Sequence, residues 1–269
     1  MATNYRGPMS SVFFPMLGGA HARILWARWL TASLLVILAV GCQTDTERPH
    51  DPPSGRLSGR GTVEGVIRLA DLTIPEPTRV RNTTDPELCG EVQSLEDLLV
   101  SVVDGGIQNV IVALLDVPPD KIPTRPAERL VLDNQGCRFV PHAAVLTTGS
   151  TIAATNSDRV LHTEHFYGAH SANMALPSAG MSIDTVVVDE GMIIVKCDVH
   201  GWMQAFIRVD PHPFHDVTDA AGVFRISEVP AGVYELELWH EKLGRQGISI
   251  EVEAGGTEIV EAQFALESR

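Results

Sequence analysis

GMIIVKCDVHGWMQAFIRVD, residues 191–210, sets two apolar runs on either side of a short loop. Ile193, Ile194 and Val195 lead into Cys197, and Ala205, Phe206, Ile207 and Val209 follow Met203. Both runs are short and rich in β-branched or aromatic residues, which reads as strand, turn, strand. The loop itself, CDVHGWM, brings a thiolate, an imidazole and a thioether together, with Cys197 closing the first strand and His200 and Met203 on the turn. That is a soft, mixed nitrogen–sulfur donor set, one histidine short of the His2Cys site with a weak axial methionine that suits an electron-transfer copper. NSDRVLH, residues 156–162, can supply the missing histidine, His162, from a neighbouring strand end after TTGSTIAAT at 147–155.

The same texture extends in both directions. GTVEGVIRL (61–69), NVIVALLDV (109–117), GVFRIS (222–227), GVYELELWH (232–240) and GISIEVEAG (247–255) are short runs separated by Gly, Pro and Asp-Gly. After the first 41 residues no segment keeps a helical period, so the expected class is all-β, one sandwich or a pair. One short helix is expected within 86–99, where SLEDLL resembles an N-cap followed three residues later by an acid. PPDKIPTRP at 118–126 interrupts the strand pattern and marks a domain boundary.

With 269 residues, 44% of them hydrophobic and 20% charged, the chain can build one large core or two small ones and is not a disordered polymer. The net charge of -14 excludes nucleic acid as a partner, because phosphate binding needs basic residues. Charge is also unevenly placed: residues 1–41 hold Arg6, Arg23 and Arg28 and no acid, leaving 17 basic against 34 acidic residues beyond them. Such a body favours basic or neutral partner surfaces.

The metal-ligand pattern resembles the cupredoxins, the blue-copper proteins, over roughly residues 125–210. The C-x2-H-x2-M loop at 197–203 has amicyanin's spacing, and FVP (139–141), Gly149 with Thr151, and NSDRVLHTEH (156–165) resemble the family's second strand, its third-strand turn and its first-histidine segment. The resemblance implies a Greek-key β-sandwich holding one type 1 copper through His162, Cys197, His200 and Met203. Two positions depart from it. Thr163 stands where the family has a loop-tethering asparagine, and a hydroxyl makes fewer such bonds; Gly201 stands where many relatives have proline, which loosens the loop. His165, His170, His212 and His215 read as exposed loop histidines, and Trp202 fits either a partner-docking surface or the core.

VTDAAGVFRI (217–226) and VPAGVYEL (229–236) resemble the carboxypeptidase-regulatory-like, transthyretin-type sandwich. Too few residues remain for such a module alone, but its opening strands resemble GTVEGVIRL and NVIVALLD. The expectation is therefore a discontinuous second, smaller β-sandwich, 61–118 with 212–267, into which a cupredoxin domain of 119–211 is inserted; the rival is two sandwiches in linear order.

Arg23 and Arg28 followed by the apolar run WLTASLLVILAVG (29–41) read as a secretory signal over 1–41, too short for a membrane span of about 20 apolar residues. LAVGC (38–42) resembles the lipobox of bacterial lipoproteins, which implies lipidation of Cys42, a membrane anchor and residence in the cell envelope or periplasm. Residues 42–60, polar and rich in Pro and Gly, then serve as a flexible tether; translation could also start at Met9 or Met16. Export exposes thiols to oxidation. With Cys42 taken by lipid and Cys197 by metal, Cys89 and Cys137 remain as a disulfide pair, the alternative being a second metal held by Cys137 and His142. No H-x-H pair, G-x-S-x-G or H-E-x-x-H occurs, so the expected function is electron transfer with a redox partner protein and not enzymatic. The alternative is a copper-carrying or redox-silent binding module.

Overall fold

Two antiparallel-rich sandwiches share the chain. The computed structural model describes residues 59–71 and 73–266. The expected signal segment, Cys42 and almost all of the tether lie outside the described residues.

The central sandwich packs a five-stranded sheet on a four-stranded one. The first runs Ala172–Leu176, His162–Gly168, Gly191–Lys196, Gln204–Asp210, Ala143–Thr147; the second runs Met181–Val186, Thr151–Asn156, Arg129–Asn134, Phe139–Val140. Alternation decides which side chains face inward. In Gly191–Lys196, Ile193 and Val195 are buried while Ile194 and Lys196 point outward, and in His162–Gly168 the buried set is His162, Glu164 and Phe166. The inner faces close on Leu132, Phe139, Ile152, Phe166, Leu176, Ile193 and Ile207, each worth about 1.5–3 kcal/mol when withdrawn from water. One strand pair in each sheet is parallel, Gln204–Asp210 with Ala143–Thr147 and Arg129–Asn134 with Thr151–Asn156, as long crossover connections require.

The flanking sandwich draws strands from both sides of the central one. Arg60–Leu69 lies between Val223–Pro230 and Thr257–Phe264, antiparallel to the first and parallel to the second. Ile111–Leu115 lies between His215–Val217 and Gly232–His240, and Gly244–Val252 completes that sheet. Val63, Ile67, Leu114, Phe214, Phe224, Leu236 and Phe264 form its core. Gly65 and Gly106 are small for a reason: a Cβ on Gly65 would meet Phe224, and one on Gly106 would meet the backbone of Ala221.

Where the sandwiches meet, Phe206 packs on Trp239 with ring centroids 5.1 Å apart, beside Ile111 and Ala143. Polar contacts surround this patch. Arg208 pairs with Asp210 at 2.8 Å and with Glu237, His215 with Asp210 at 2.8 Å, and Glu241 with both His142 and Gln204. His212 and His215 are thus not exposed loop histidines: His212 is buried, and the imidazole of His215 is folded onto Asp210.

The segment between the first two flanking strands leaves its own sandwich and crosses to the other. The helix there is a single turn, Pro86–Cys89, shorter than expected, followed by the strand Val92–Ser94, which pairs with Arg79–Arg81. Gly90 at φ 82 stops the helix, and Leu95 N–H donates to Thr78 O instead of continuing it. Cys89 joins the central core through a disulfide to Cys137, 48 residues on.

Candidate metal centre

Three strand ends converge at one end of the central sandwich. His162 opens its strand, Cys197 follows directly on Gly191–Lys196, and His200 sits in the turn before Gln204–Asp210. The turn is closed by Met203 N–H to His200 O at 2.9 Å and Cys197 N–H to Met203 O at 3.3 Å. Met203 is buried against the same core.

The donor atoms face one another. Cys197 Sγ is 4.0 Å from His162 Nδ1 and 3.8 Å from His200 Nδ1, and the two Nδ1 atoms are 3.1 Å apart. A cation about 2.0 Å from each nitrogen and 2.3 Å from sulfur, in a trigonal plane, would set N–N near 3.5 Å and N–S near 3.7 Å, close to these separations. Both imidazoles are fully buried, and desolvation pushes the pKa of each below the usual histidine value, so both are neutral at neutral pH.

Which nitrogen carries the proton follows from the partners on the far side of each ring. His162 Nε2 lies 3.0 Å from Asp158 Oδ2, and His200 Nε2 lies 3.2 Å from Asp85 Oδ2. A carboxylate can only accept, so each Nε2 bears the hydrogen and each Nδ1 presents a lone pair inward. Two lone pairs 3.1 Å apart with no proton between them repel, and a cation between them removes the repulsion. The donor set, its spacing and its protonation therefore fit a soft transition metal.

The thiol is held from the backbone. Thr163 N–H and His200 N–H both point to Cys197 Sγ at 3.4 Å, and the Thr163 hydroxyl is 3.9 Å from it. That hydroxyl also accepts from Asp198 N–H at 2.7 Å. Thr163 thus ties the two ligand segments together as well as touching the sulfur. Gly201 is exposed, and a Cβ there would meet nothing within 4 Å.

Of the other residues singled out in the sequence, Cys137 is in the disulfide and not beside a metal-ready His142, whose ring pairs with Glu241. His165 lies outside the centre on the open sheet face, 3.0 Å from Asp198 and stacked on Tyr167. Trp202 is half-buried, its ring 5.0 Å from that of His200 and its Nε1–H donating to Cys137 O at 3.1 Å. Sequence reading missed Asp85, Asp158 and Glu164. Asp158, four residues before His162, carried a local signal; Asp85 carried none, since it reaches His200 only through the fold.

No protein-family model matches the sequence, and no curated protein matches it. Among solved structures, part of the chain is similar to a Cu-containing nitrite reductase (NirK) from Thermus scotoductus SA-01, at 18% identity over 32% of this chain and 23% of that one, with a TM-score of 0.28. A purple cupredoxin from Nitrosopumilus maritimus is similar at 20% identity over 31% of this chain and 99% of that one, with a TM-score of 0.27. A Cu(I) amicyanin mutant is similar at 17% identity over 37% of this chain and 98% of that one, with a TM-score of 0.28. The structural neighbours thus include cupredoxins, and the matched segment spans less than a quarter of the reductase.

Proposed function

We propose that this protein is an exported type 1 copper protein that passes single electrons, anchored to a membrane through lipidated Cys42 and working in the cell envelope. The observation that carries the copper reading is the pair of inward-facing Nδ1 lone pairs 3.1 Å apart beside a buried thiol. His162 and His200 would supply the in-plane nitrogens, Cys197 the thiolate and Met203 the axial sulfur. Copper bound there would alternate between its monovalent and divalent states. The chain's own part is to keep both imidazoles neutral by burial, to hold the sulfur with two backbone N–H groups, and to keep water out.

In this reading 119–211 is the copper domain, inserted in a second sandwich made of 61–118 and 212–267. The partner is a redox protein with a basic or neutral surface, and the protein is a carrier rather than an enzyme. Copper(II)-loaded protein should absorb intensely at the red end of the visible spectrum, in proportion to one copper per chain. Cys197→Ser should abolish the band, while Met203→Leu should keep the colour and raise the potential. Colourless protein that fails to retain copper would end the proposal, and a bound metal with no reversible one-electron chemistry would leave a copper carrier instead.

A further inference from the structure

The segment that crosses from the flanking sandwich does more than cover the metal-ligand loop. Asp85 adopts a left-handed conformation at φ 49, a region in which aspartate is among the few side chains tolerated, and its carbonyl accepts from Leu88 N–H and Cys89 N–H to start the single helical turn. That geometry places the carboxylate at His200 Nε2 and the Cys89 sulfur 3.7 Å from the same nitrogen. At the other end of the disulfide, Cys137 N–H donates to Asp158 Oδ2 at 2.8 Å and Gly136 N–H to Asp158 Oδ1 at 2.9 Å. Asp158 Oδ2 is also the atom that receives His162 Nε2–H. The chain therefore runs from His200 to Asp85, through the Cys89–Cys137 bond, to Asp158 and His162. It forms a closed bracket around the outer edges of both imidazoles.

We propose that Asp85 and Asp158 are paired positioning residues, spaced by the Cys89–Cys137 disulfide, that lock both histidines as Nε2–H tautomers and bias the bound metal toward its oxidised state. A carboxylate that accepts an imidazole N–H orients the ring and makes the opposite nitrogen a stronger donor, which favours the higher metal charge. Asp158 is the local half of the device and is held by two backbone N–H groups. Asp85 is the remote half, kept in place by the disulfide, by its own left-handed turn and by Asn82, whose side chain accepts from Thr84 N–H at 2.8 Å and donates to Gly90 O at 2.7 Å.

The potential readout rests on the copper reading, but the tautomer readout does not. In metal-free protein at about pH 8, above the ordinary histidine range, nitrogen NMR should find His200 as the Nε2–H tautomer. Asp85→Ala should shift it toward Nδ1–H. If His200 is the Nδ1–H tautomer in the wild type, the proposal falls whether or not copper binds. In copper-loaded protein, Asp85→Asn should keep the blue band and increase the reduced-to-oxidised ratio at a given poise about tenfold, a rise of about 59 mV. Asp85 is exposed enough that the exchange should not disturb folding. A folded, blue Asp85→Asn protein whose ratio stays within about twofold of wild type would overturn the bias toward oxidation. Rescue of the tautomer by Asp85→Glu would separate carboxylate chemistry from simple coverage.

Discussion

Glu164 is the residue whose chemistry is most at odds with its address. It follows His162 by two positions on the inward face of the same strand, fully buried, and burial pushes its carboxyl up to about 9. Asn134 Nδ2 donates to it at 2.9 Å, while Asn134 Oδ1 and Glu164 Oε2 find no partner. With the folded pKa raised, its contribution is complete below about 4.5 and is lost as pH rises toward 9, so near pH 7 it already costs about 3 kcal/mol. Glu164→Gln should therefore stabilise the protein at neutral pH by up to that amount, a gain that vanishes near pH 4.5 in urea titrations. His240 works in the opposite sense. Burial lowers it to about 4, so its contribution is present above about 6.5 and fades as pH falls toward 4, by about 3 kcal/mol in all. His240→Gln should flatten that acid limb, which the same titrations would reveal. At this scale the sequence was most readable where chemistry is local. The Cys197–Met203 loop and His162 stand out by spacing alone, whereas Asp85 lies 115 residues from His200 and nothing near it in sequence points there.

Among elements, strands were legible because their inward and outward residues alternate, as in Gly232–His240, where Tyr234, Leu236 and Leu238 are buried and Val233 and Glu235 are not. The helix expected within 86–99 was legible only in part. Its acid at 97 is not a helical side chain but the partner of Lys242 and of Thr78, at 2.9 Å, so tertiary contacts override the local capping signal. The histidines of HPFH misled for a similar reason: the partner of His215, Asp210, belongs to the strand before it, and His212 is buried with its Nδ1 accepting from Phe214 N–H. The disulfide-tied segment also has a measurable energetic role. Closing a 48-residue loop is worth about 4 kcal/mol by chain entropy. Reduction, or Cys89→Ser with Cys137→Ser, should lower stability by about that much in denaturant titrations. Free thiols at both positions in the native protein, detected by mass spectrometry of alkylated peptides, would contradict the pairing.

At the scale of the whole molecule, the flanking sheets depend on strands far apart in sequence. A fragment of 212–269 keeps His215–Val217, Val223–Pro230, Gly232–His240, Gly244–Val252 and Thr257–Phe264, but loses Arg60–Leu69 and Ile111–Leu115, the middle partners of both sheets. Phe224, Tyr234 and Leu236 would then face water, and the fragment should give a collapsed, poorly dispersed amide NMR spectrum. A well-dispersed one would mean that the piece stands by itself. The same pairing has a consequence in time. A chain made from its N-terminus produces Arg60–Leu69 early, yet its parallel neighbour Thr257–Phe264 is almost the last described segment to appear. At a synthesis rate of about 5–20 residues per second, that strand waits on the order of ten seconds for its antiparallel neighbour Val223–Pro230, and longer with its other edge open for Thr257–Phe264. The central sandwich can close meanwhile, since all its strands lie between Arg129 and Asp210. An open edge invites pairing with another nascent copy. Arg60, Glu64 and Arg68, spaced along the waiting strand, put charge on the edge that must stay solitary longest.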